Sequence, residues 1–483
     1  MNERKSGVLL HVSSLPSGFG IGTFGKGAKG FVDFLADSGF RVWQVLPFCM
    51  ADDYNSPYKS RAAFGVNPYF IDPEILLEKG YITESELDGA RESNEYLTEY
   101  DRLHKDRISL LSRAADRAKG KSGFSLRLSA FYKKYPELLT AARFLALKEK
   151  HMGAPWQEWD EGCECDPHTL YVWKFIQYEF FSEWLELKSY ANSRGVEIIG
   201  DMPMYVDLDS ADVWSATHLF KLDSNGYPTE VAGVPPDAFS AEGQLWGNPL
   251  YDYASMKRDG YAFWRRRMEY MLTLFDGVRI DHFRALEAYY SIPVEAKSAK
   301  EGRWIKGPGR ELVDVIREVA GDSLVIAEDL GVITDEVREL LEYSTLPGMR
   351  VLQFAFSEGC DNLHLPHNYT KNTVVYTGTH DNNTTLGYLY EASDWERTRA
   401  LEYCSASSHD LRSAVLDFIK AILRSSADIA IIPMQDILGY GADTRMNTPG
   451  VPTGNWRYRL ANWQLDSVNR ELWHRLNSLY SRI

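Results

Sequence analysis

Eight short apolar runs rich in β-branched residues recur along this chain, and segments of helical periodicity separate most of them. The runs that predict strands cover residues 7–15, 42–48, 196–206, 275–283, 324–330, 349–356, 373–379 and 429–438. The segments that predict helices include residues 25–38, 172–193, 254–275, 309–319, 335–343 and 411–425. Strand alternating with helix requires parallel crossovers, and eight repeats predict an α/β fold, a closed (β/α)8 TIM barrel. The periodicity also leaves open a doubly wound parallel sheet.

With 483 residues, the chain is far longer than a bare barrel, which takes ~250. Residues 63–167, after the second strand, are expected to form a mostly helical insertion, because their middle has helix-forming residues at helical spacing. Residues 223–253, after the third strand, combine Gly, Pro and aromatic residues without a clear period, which predicts a loop insertion over the active-site mouth. Residues 447–483 end in a helix-like segment, so no C-terminal all-β domain is expected. Residues 1–483 are therefore predicted to be a single barrel domain with embedded subdomains.

Composition narrows the class of protein. Hydrophobic residues make up 44% of the chain and aromatic residues 13%, which is enough to bury a sizeable core without disulfides or a metal. The formal net charge of −15 argues against nucleic acid or an acidic membrane surface as a partner. A neutral or cationic substrate is favoured.

The cysteines do not have the regular spacing of a disulfide framework. They are Cys49, Cys163, Cys165, Cys360 and Cys404. Cys163 and Cys165 are close together, but no second Cys or His pair has matching spacing, so free thiols in a reducing compartment are expected. Residues 207–212 superficially suggest calcium ligands, yet they lack the glycine and terminal glutamate of a calcium loop and are predicted to cap a helix. No metal is expected. Residues 1–7 are charged and no apolar run could span a bilayer, so the predicted location is the cytoplasm.

Three segments place a carboxylate near the end of a predicted strand. Asp281 belongs to the fourth strand, Glu328 to the fifth and Asp381 to the seventh. Active-site groups of barrel enzymes lie at the C-terminal ends of the strands, and glycosidic-bond chemistry needs two or three carboxylates converging there. The pattern therefore predicts a carbohydrate-active site at this end of the barrel.

The first two carboxylates lie on adjacent strands. Side chains alternate along a strand, so Arg279 and Asp281 point the same way, and the arginine would keep the carboxylate ionised as a nucleophile requires. An Arg-x-Asp pair can equally be a structural ion pair. Asp329 is expected to face the opposite side from Glu328, which leaves Glu328 as the group that is protonated when substrate excludes water. The alternative for Glu328 is that it only holds a backbone amide.

The third carboxylate, Asp381, follows His380 and comes from across the barrel mouth. It can hold two sugar hydroxyls and stabilise the positive charge of an oxocarbenium-like transition state. Carboxylates on adjacent strands also suggest the separation of ~5–5.5 Å that is typical of retaining glycosidases. An α-glucan groove further needs aromatic platforms among polar groups, and Tyr58 and Trp246 fit because they lie in loops beside Pro and Gly.

Further sequence blocks lie in order along nearly the whole chain, at residues 6–11, 14–16, 43–47, 56–58, 67–69, 200–203, 233–237, 243–249, 445–447 and 454–456. With the three carboxylate strands, they resemble the amylomaltases, the 4-α-glucanotransferases of glycoside hydrolase family 77, which are relatives of the α-amylases. The resemblance implies that Asp281 is the nucleophile, Glu328 the general acid/base and Asp381 the transition-state stabiliser. It also implies that the substrate is contacted by Arg279, His380, Tyr54, Tyr58, Asp237, Gln244, Trp246 and Asn447.

The predicted function is a 4-α-glucanotransferase that transfers α-1,4-glucan segments to the 4-hydroxyl of an acceptor by a retaining double displacement, without a cofactor. Its expected partners are α-1,4-glucans, such as maltodextrins and starch or glycogen segments, and glucose. One alternative is an α-amylase-like hydrolase, which the missing all-β domain disfavours. The other is a catalytically silent glucan-binding protein, which the intact Asp281, Glu328 and Asp381 argue against.

Overall fold

The computed structural model of the chain describes residues 4–51, 54–236, 242–357 and 359–483. The strands in these ranges are β1 (Lys5–Leu9), β2 (Val42–Gln44), β3 (Glu197–Met202), β4 (Glu230–Val234), β5 (Gln244–Pro249), β6 (Gly277–Ile280), β7 (Ala288–Pro293), β8 (Arg303–Lys306), β9 (Leu324–Ala327), β10 (Gly348–Val351), β11 (Thr373–Tyr376) and β12 (Ile429–Pro433).

The α-helices of the same ranges surround the strands, with short 3-10 turns between them. They are α1 (Lys26–Asp37), α2 (Pro73–Glu78), α3 (Glu84–Ala90), α4 (Tyr100–Lys119), α5 (Phe124–Lys134), α6 (Glu137–Lys150), α7 (Pro167–Ser193), α8 (Ala211–Ser215), α9 (Tyr253–Arg258), α10 (Ala262–Leu274), α11 (Arg310–Ala320), α12 (Asp335–Ser344), α13 (Thr385–Glu391), α14 (Asp394–Cys404), α15 (Leu411–Leu423), α16 (Met434–Leu438), α17 (Asn462–Asp466) and α18 (Arg470–Leu479). None of these helices is both long and apolar enough to cross a membrane.

Eight strands close into a parallel barrel in the order β1, β2, β3, β6, β9, β10, β11 and β12. Each pairs with its neighbours in chain order, and β12 returns to β1 through the pair of Lys5 with Ile429. Each of the eight predicted runs contains one of these strands or overlaps it. The predicted TIM barrel is therefore confirmed, and the open sheet is excluded because each of the eight strands pairs with two neighbours and the sheet has no free edge.

The barrel strands are short and almost entirely buried, as their β-branched residues and the covering helices require. Aromatic rings fill the space between the barrel and α7. Trp184 of that helix lies 4.6 Å from the ring of Phe48, and its indole nitrogen donates to the carbonyl of Leu274 at 2.9 Å. The core thus holds the helix layer against the strands and fixes where the strand ends emerge.

Residues 63–167 lie between β2 and β3 and carry α2 to α6. Local signals in the sequence explain where these helices begin. Thr83 and Glu86 form a capping box at the start of α3, and Asp72 accepts hydrogen bonds from the first turn of α2. Helices α4, α5 and α6 pack on α7, which leads back into the barrel through β3.

A second sheet, which the sequence analysis did not predict, has four antiparallel strands in the order β5-β4-β7-β8. Two of them, β4 and β5, lie within residues 223–253, where the sequence shows little strand period. Glycine and proline interrupt the apolar alternation there, because Gly233 lies inside β4 and Pro249 ends β5. Since β4 and β5 follow β3, and β7 and β8 follow β6, the sheet is built from loops at the C-terminal end of the barrel.

The chain after the barrel is short. Residues 434–483, all of which are described, form α16, α17 and α18, and their strand-like structure is limited to an isolated bridge between Tyr458 and Leu97. This segment runs back over the barrel, where the Leu460 amide donates to the carbonyl of Ser14 at 2.8 Å.

Candidate active site

The strand register brings two acidic residues to the barrel mouth side by side. The Asp281 amide donates to the carbonyl of Met202 at 3.0 Å, and the Glu328 amide donates to the carbonyl of Ile280 at 3.0 Å. Both residues therefore continue the ladder of barrel hydrogen bonds just beyond β6 and β9. Because backbone bonds fix both residues, their side chains start from defined positions.

A buried arginine holds Asp281. Arg279 Nη1 lies 2.9 Å from Asp281 Oδ1 and 2.7 Å from Asp201 Oδ1. Burial by itself would lower the pKa of Arg279, but the two carboxylates raise its pKa well above the ordinary value, so it stays charged. The side chain of Asp281 is 29% exposed, whereas Asp201 is fully buried. Asp281 thus has a permanent positive partner and one face open to the cleft.

Two backbone amides hold Glu328. Its Oε2 accepts from the His282 amide at 2.6 Å, and its Oε1 accepts from the Leu330 amide at 2.8 Å. Burial, reinforced by the negative charge of Asp281, raises the pKa of Glu328 to about 7, although Arg279 and the two amides work in the opposite direction. Glu328 can therefore carry or release a proton near neutral pH.

Asp329 faces away from this pair. Its Oδ2 accepts from Arg350 Nη1 at 2.7 Å, and its Oδ1 accepts from the Met349 amide at 2.6 Å. The backbone of Gly348 runs so close that a Cβ atom there would lie 2.8 Å from Asp329 Oδ1. Asp329 thus ties β9 to β10, while Glu328 faces the cleft.

Asp381 lies in a different electrostatic environment. His380 Nε2 is 3.2 Å from Asp381 Oδ2, and Asn447 Nδ2 donates to Oδ1 at 2.6 Å. Removal from water would raise the pKa of Asp381, but the His380 charge and these hydrogen bonds outweigh it and lower the pKa to about 2. Arg445 fixes the backbone by donating to the Asp381 carbonyl at 2.6 Å. Asp381 is therefore a permanent anion, and its side chain is 45% exposed.

Tyr58 connects the two sides of the site. Its hydroxyl donates to Asp201 Oδ2 at 2.8 Å, and its ring stacks on His380 with centroids 5.0 Å apart. Burial, with the nearby charge of Asp201, raises the pKa of Tyr58 well above its ordinary value, so the hydroxyl keeps its proton. Trp456 packs 5.9 Å from both rings.

Sequence reasoning did not assign a role to Asp201 or Trp456. Asp201 carried a detectable signal, because it is a carboxylate near the C-terminal end of the mostly apolar strand β3. Trp456 gave no periodic signal, since it lies in a loop with a left-handed φ of 64°.

The inserted sheet supplies Trp246 and Gln244 from β5. The Trp246 indole nitrogen donates to Gln244 Oε1 at 3.1 Å, and its ring meets the His282 ring edge to face at 5.0 Å. His282 follows Asp281 with a left-handed φ of 50°, and burial lowers its pKa to about 4. These contacts place Trp246 next to the backbone that holds Glu328.

Two further contacts were predicted, at Tyr54 and Asp237. Tyr54 is 56% exposed on the loop that precedes Tyr58. Asp237 lies outside the described residues. The remaining predicted site residues are linked to one another by the contacts given above. They include Arg279, Tyr58, His380 and Asn447.

Among the described residues, no three His, Cys, Asp or Glu side chains are grouped so that they could hold a metal ion. Residues 207–212 have structural partners instead. Asp209 pairs with Arg61 at 2.9 Å and with Lys148, Asp212 accepts from the Ala63 amide at 2.7 Å, and Ser210 caps α8. The interpretation of this stretch as a helix-capping loop agrees with these contacts.

Comparisons with known proteins show the family of the chain. The family profile described as 4-alpha-glucanotransferase matches residues 10–465. The 4-alpha-glucanotransferase of Streptococcus pneumoniae is 40% identical over an alignment covering 100% of this chain and 98% of the relative. That of Thermus thermophilus is 42% identical over 96% of both chains. The solved structure of an amylomaltase from Streptococcus agalactiae in complex with acarbose covers 99% of this chain and 100% of its own, with 34% identity and a TM-score of 0.95.

Proposed function

The chain belongs to the 4-alpha-glucanotransferase family, glycoside hydrolase family 77, and from this premise we propose that Asp281, Glu328 and Asp381 carry out its reaction. The enzyme is a 4-α-glucanotransferase, which moves α-1,4-glucan segments from a donor to the 4-hydroxyl of an acceptor by a retaining double displacement. The observation that carries the assignment is the contrast between Glu328, whose pKa is raised to about 7, and its neighbour Asp281, which is held by Arg279.

In the first step, the Asp281 carboxylate attacks the anomeric carbon of the donor. The bond from that carbon to the glycosidic oxygen breaks, and Glu328 gives its proton to the departing oxygen. The leaving part of the glucan departs as a neutral alcohol, and the rest remains as an ester on Asp281. Arg279 donates to the Asp281 carboxylate and orients it for the attack, and the His282 and Leu330 amides orient the Glu328 carboxyl group.

In the second step, Glu328 is ionised and takes the proton from the 4-hydroxyl of the acceptor. The acceptor oxygen attacks the anomeric carbon, and the ester bond to Asp281 breaks. Glu328 is protonated and Asp281 ionised again, so both groups return to their starting states. Two inversions at the same carbon retain the α configuration.

Asp381 contributes charge and position. Positive charge develops on the sugar ring in both transition states, and a permanent anion nearby stabilises it more than it stabilises the neutral ground state. Asn447 and His380 hold the Asp381 oxygens, and we assign His380 and Arg279 as further contacts of the same sugar. Because Arg279 and His380 are buried, their positions are fixed before the substrate binds.

The substrate groove needs platforms for apolar sugar faces and polar groups for hydroxyls. We assign Tyr58, Trp246, Gln244 and Asn447 to this role on the basis of their contacts with the catalytic residues. Tyr54 and Asp237 are assigned from the family resemblance alone. Glucose is proposed as an acceptor because it carries the same 4-hydroxyl as the end of a glucan.

Transfer in place of hydrolysis requires an acceptor that is better oriented than water. We propose that residues 63–167 and residues 223–253 border the mouth and limit the entry of water to the ester intermediate. The position of Trp246 on β5, next to His282, supports this role for the second insertion.

We also propose that the enzyme works in a reducing compartment, the cytoplasm. The five cysteines are unpaired, and Cys49, Cys163 and Cys165 are only partly exposed while Cys404 is buried. Thiol titration of protein purified without reductant tests this, because five titratable thiols are expected and a disulfide in freshly isolated cells would contradict it.

The decisive test is incubation with maltotriose alone, followed by chromatography. A ladder of longer maltodextrins together with glucose supports disproportionation, whereas glucose and maltose without longer products would contradict it. Asp281→Asn should abolish the ladder while the protein remains folded by circular dichroism. An Asp281→Asn enzyme with near-normal turnover would contradict the assignment of the nucleophile.

A further inference from the structure

We propose that Arg284 is a positioning residue for the general acid/base and that Trp304, of the inserted sheet, holds it in place. Arg284 lies in the 3-10 turn just after β6, two residues beyond His282. Its guanidinium donates to the carbonyl of Val332, in the loop just after β9. Arg284 therefore joins the two segments that hold the Glu328 carboxyl group. The proposal rests on the acid/base role proposed for Glu328 and adds the side chains that keep that group in position.

The loop after β9 depends on this bond. The Leu330 amide in this loop is one of the two that hold the Glu328 carboxyl group, at 2.8 Å. Residues 331–333 belong to no helix or strand, and Val332 is 46% exposed. Among the described residues, the bond from Arg284 is the hydrogen bond that connects residues 331–333 to another element. Without it, the loop is expected to move and to take the Leu330 amide away from Glu328.

The turn after β6 holds the other oxygen of Glu328. The His282 amide donates to Oε2 at 2.6 Å, and the next amide, that of Phe283, donates to the Glu328 carbonyl at 3.0 Å. The side chain of Arg284 adds the outermost bond of this series. Since the carboxyl group is oriented by both segments, a change in how they are joined should alter the geometry of proton transfer.

Trp304 fixes the guanidinium. The Cζ atom of Arg284 lies 3.5 Å from the centre of the Trp304 ring, and Arg284 is only 3% exposed. Its Nε has no hydrogen-bond partner within the part of the chain that the structure describes, so the ring face compensates part of the cost of burying the charge. Trp304 belongs to β8, and Tyr290 of β7 packs against its ring at 5.0 Å. The inserted sheet thus contacts the acid/base through Arg284.

Two donors with different leaving groups test the proposal. Maltotriose needs the proton of Glu328 in the first step, whereas α-maltosyl fluoride does not. Arg284→Ala should lower kcat for maltotriose ~10- to 100-fold and change KM less than ~3-fold, because a misplaced acid slows the chemical step. The burst of fluoride that accompanies formation of the ester on Asp281 should keep its rate within about 3-fold. Arg284→Lys keeps the charge but loses the planar guanidinium, so its kcat should lie between those of Arg284→Ala and the wild type.

Trp304 gives a second route to the same measurement. Trp304→Ala should lower kcat for maltotriose ~3- to 10-fold, and Trp304→Phe should lower it less because a ring face remains. Since Trp304 acts through Arg284, the double variant should be no slower than Arg284→Ala alone. Additive losses in the double variant would overturn the proposed link between the inserted sheet and the acid/base.

Arg107→Ala is the matched control for the loss of a buried arginine. Arg107 is also 3% exposed and donates to three backbone carbonyls, but it lies on α4 of the helical insertion. The control should lower the melting temperature without changing the ratio of maltotriose turnover to the fluoride burst. A purely structural role for Arg284 would give the same result as the control.

The outcomes separate the proposal from the catalytic assignment. Equal losses with both donors in Arg284→Ala, or no loss with maltotriose, would overturn the positioning role. If Arg284→Ala does not fold, Trp304→Ala decides by the same ratio: a loss confined to maltotriose supports the role, and any other result overturns it. If Glu328→Gln loses the fluoride burst as strongly as maltotriose turnover, the acid/base assignment fails, and the proposal fails with it.

Discussion

The ends of the fifth and seventh barrel strands present the same chemical group in opposite environments. Glu328, after β9, is 8% exposed, accepts two backbone hydrogen bonds and lies near the negative Asp281. Asp381, after β11, contacts His380 and Asn447 and is more open to solvent. As a result, the pKa of Glu328 is raised to about 7, whereas that of Asp381 is lowered to about 2.

This difference teaches how one fold obtains a proton donor and a permanent anion from two carboxylates. A group that must give and take a proton needs a pKa near the working pH, while a group that stabilises positive charge must stay ionised. At Glu328, burial and the negative charge of Asp281 outweigh the nearby charge of Arg279 and raise the pKa. A histidine and an amide keep Asp381 ionised. The neighbours of each carboxyl group, and not its residue type, divide the roles.

The largest expected effects come from removing each carboxylate. Glu328→Gln and Asp381→Asn should each lower turnover of maltotriose by at least ~10²- to 10⁴-fold, because proton transfer and charge stabilisation are lost. The two variants should then differ in their activity towards α-maltosyl fluoride, because its leaving group needs no proton. Formation of the ester intermediate, followed by burst kinetics, should recover in Glu328→Gln but not in Asp381→Asn. The same response to the fluoride in both variants would remove the distinction between the two sites.

The pH dependence of kcat/KM tests the role of Glu328 in this comparison. The first step needs protonated Glu328, so kcat/KM for maltotriose should fall about tenfold per pH unit above about 7. With α-maltosyl fluoride, this alkaline decline should disappear while the protein stays folded. A decline that persists with the fluoride would mean that some other group titrates.

The same raised pKa affects stability. In the unfolded chain Glu328 ionises near the ordinary glutamate pKa of 4.5, so folding increasingly requires proton uptake as pH rises towards about 7. Glu328 therefore favours the folded state least above about pH 7, where its burial costs on the order of 3 kcal/mol. The melting temperature of Glu328→Gln relative to wild type should rise between pH 5 and pH 8. Parallel melting curves across that range would contradict the raised pKa.

The Asp381 environment can be changed without removing the carboxylate. Asn447→Ala deletes the amide that donates to Asp381 Oδ1 at 2.6 Å, and a hydrogen bond to a charged group is worth ~1.5–3 kcal/mol. Turnover should fall ~10- to 100-fold. Because the lost donor favoured the ionised form, the acidic limb of the pH profile should move to higher pH. Arg445→Lys alters bonds to the Asp381 and Asn447 carbonyls but keeps the Asn447 side-chain amide, so it serves as the control and should move the limb less. An unchanged limb in Asn447→Ala would contradict the assignment.

The fold could be predicted where the sequence has a clear strand or helix periodicity. The site could be predicted where its residues lie at the ends of strands. Each barrel strand coincides with an apolar run of β-branched residues in the sequence. The orientation of Asp329, opposite to that of Glu328, could be predicted because side chains alternate along a strand. Strands β4 and β5 were not predicted because Gly and Pro break their alternation and because they pair only with other insertions. The pairing of Asp201 with Arg279 could have been predicted, because the barrel order places β3 beside β6. The hydrogen bond from Tyr58 could not, because Tyr58 lies in a loop without a period.

The smallest expected effect concerns Trp246, which belongs to the unpredicted sheet and contacts His282 on the Glu328 side. A bound acceptor competes with concentrated water only if its 4-hydroxyl is oriented, and we expect Trp246 to orient it by stacking. Trp246→Ala should therefore weaken acceptor binding more than it slows formation of the ester on Asp281. Water would then intercept a larger share, and the ratio of hydrolysis to transfer should rise by ~2- to 10-fold, the equivalent of one stacking contact.

Two measurements on the same maltotriose reactions check this ratio, the reducing ends released and the longer maltodextrins formed. Trp246→Phe keeps an aromatic face and should give a ratio between those of the wild type and Trp246→Ala. The Gln244→Ala variant keeps the indole ring but removes its hydrogen-bond acceptor together with a proposed sugar contact, so it tests the polar part of this platform separately from stacking. If hydrolysis and chain elongation fall in strict proportion in Trp246→Ala, the ring contacts the donor or packs the sheet. The Glu328 side of the cleft would then control proton transfer without controlling the choice of acceptor.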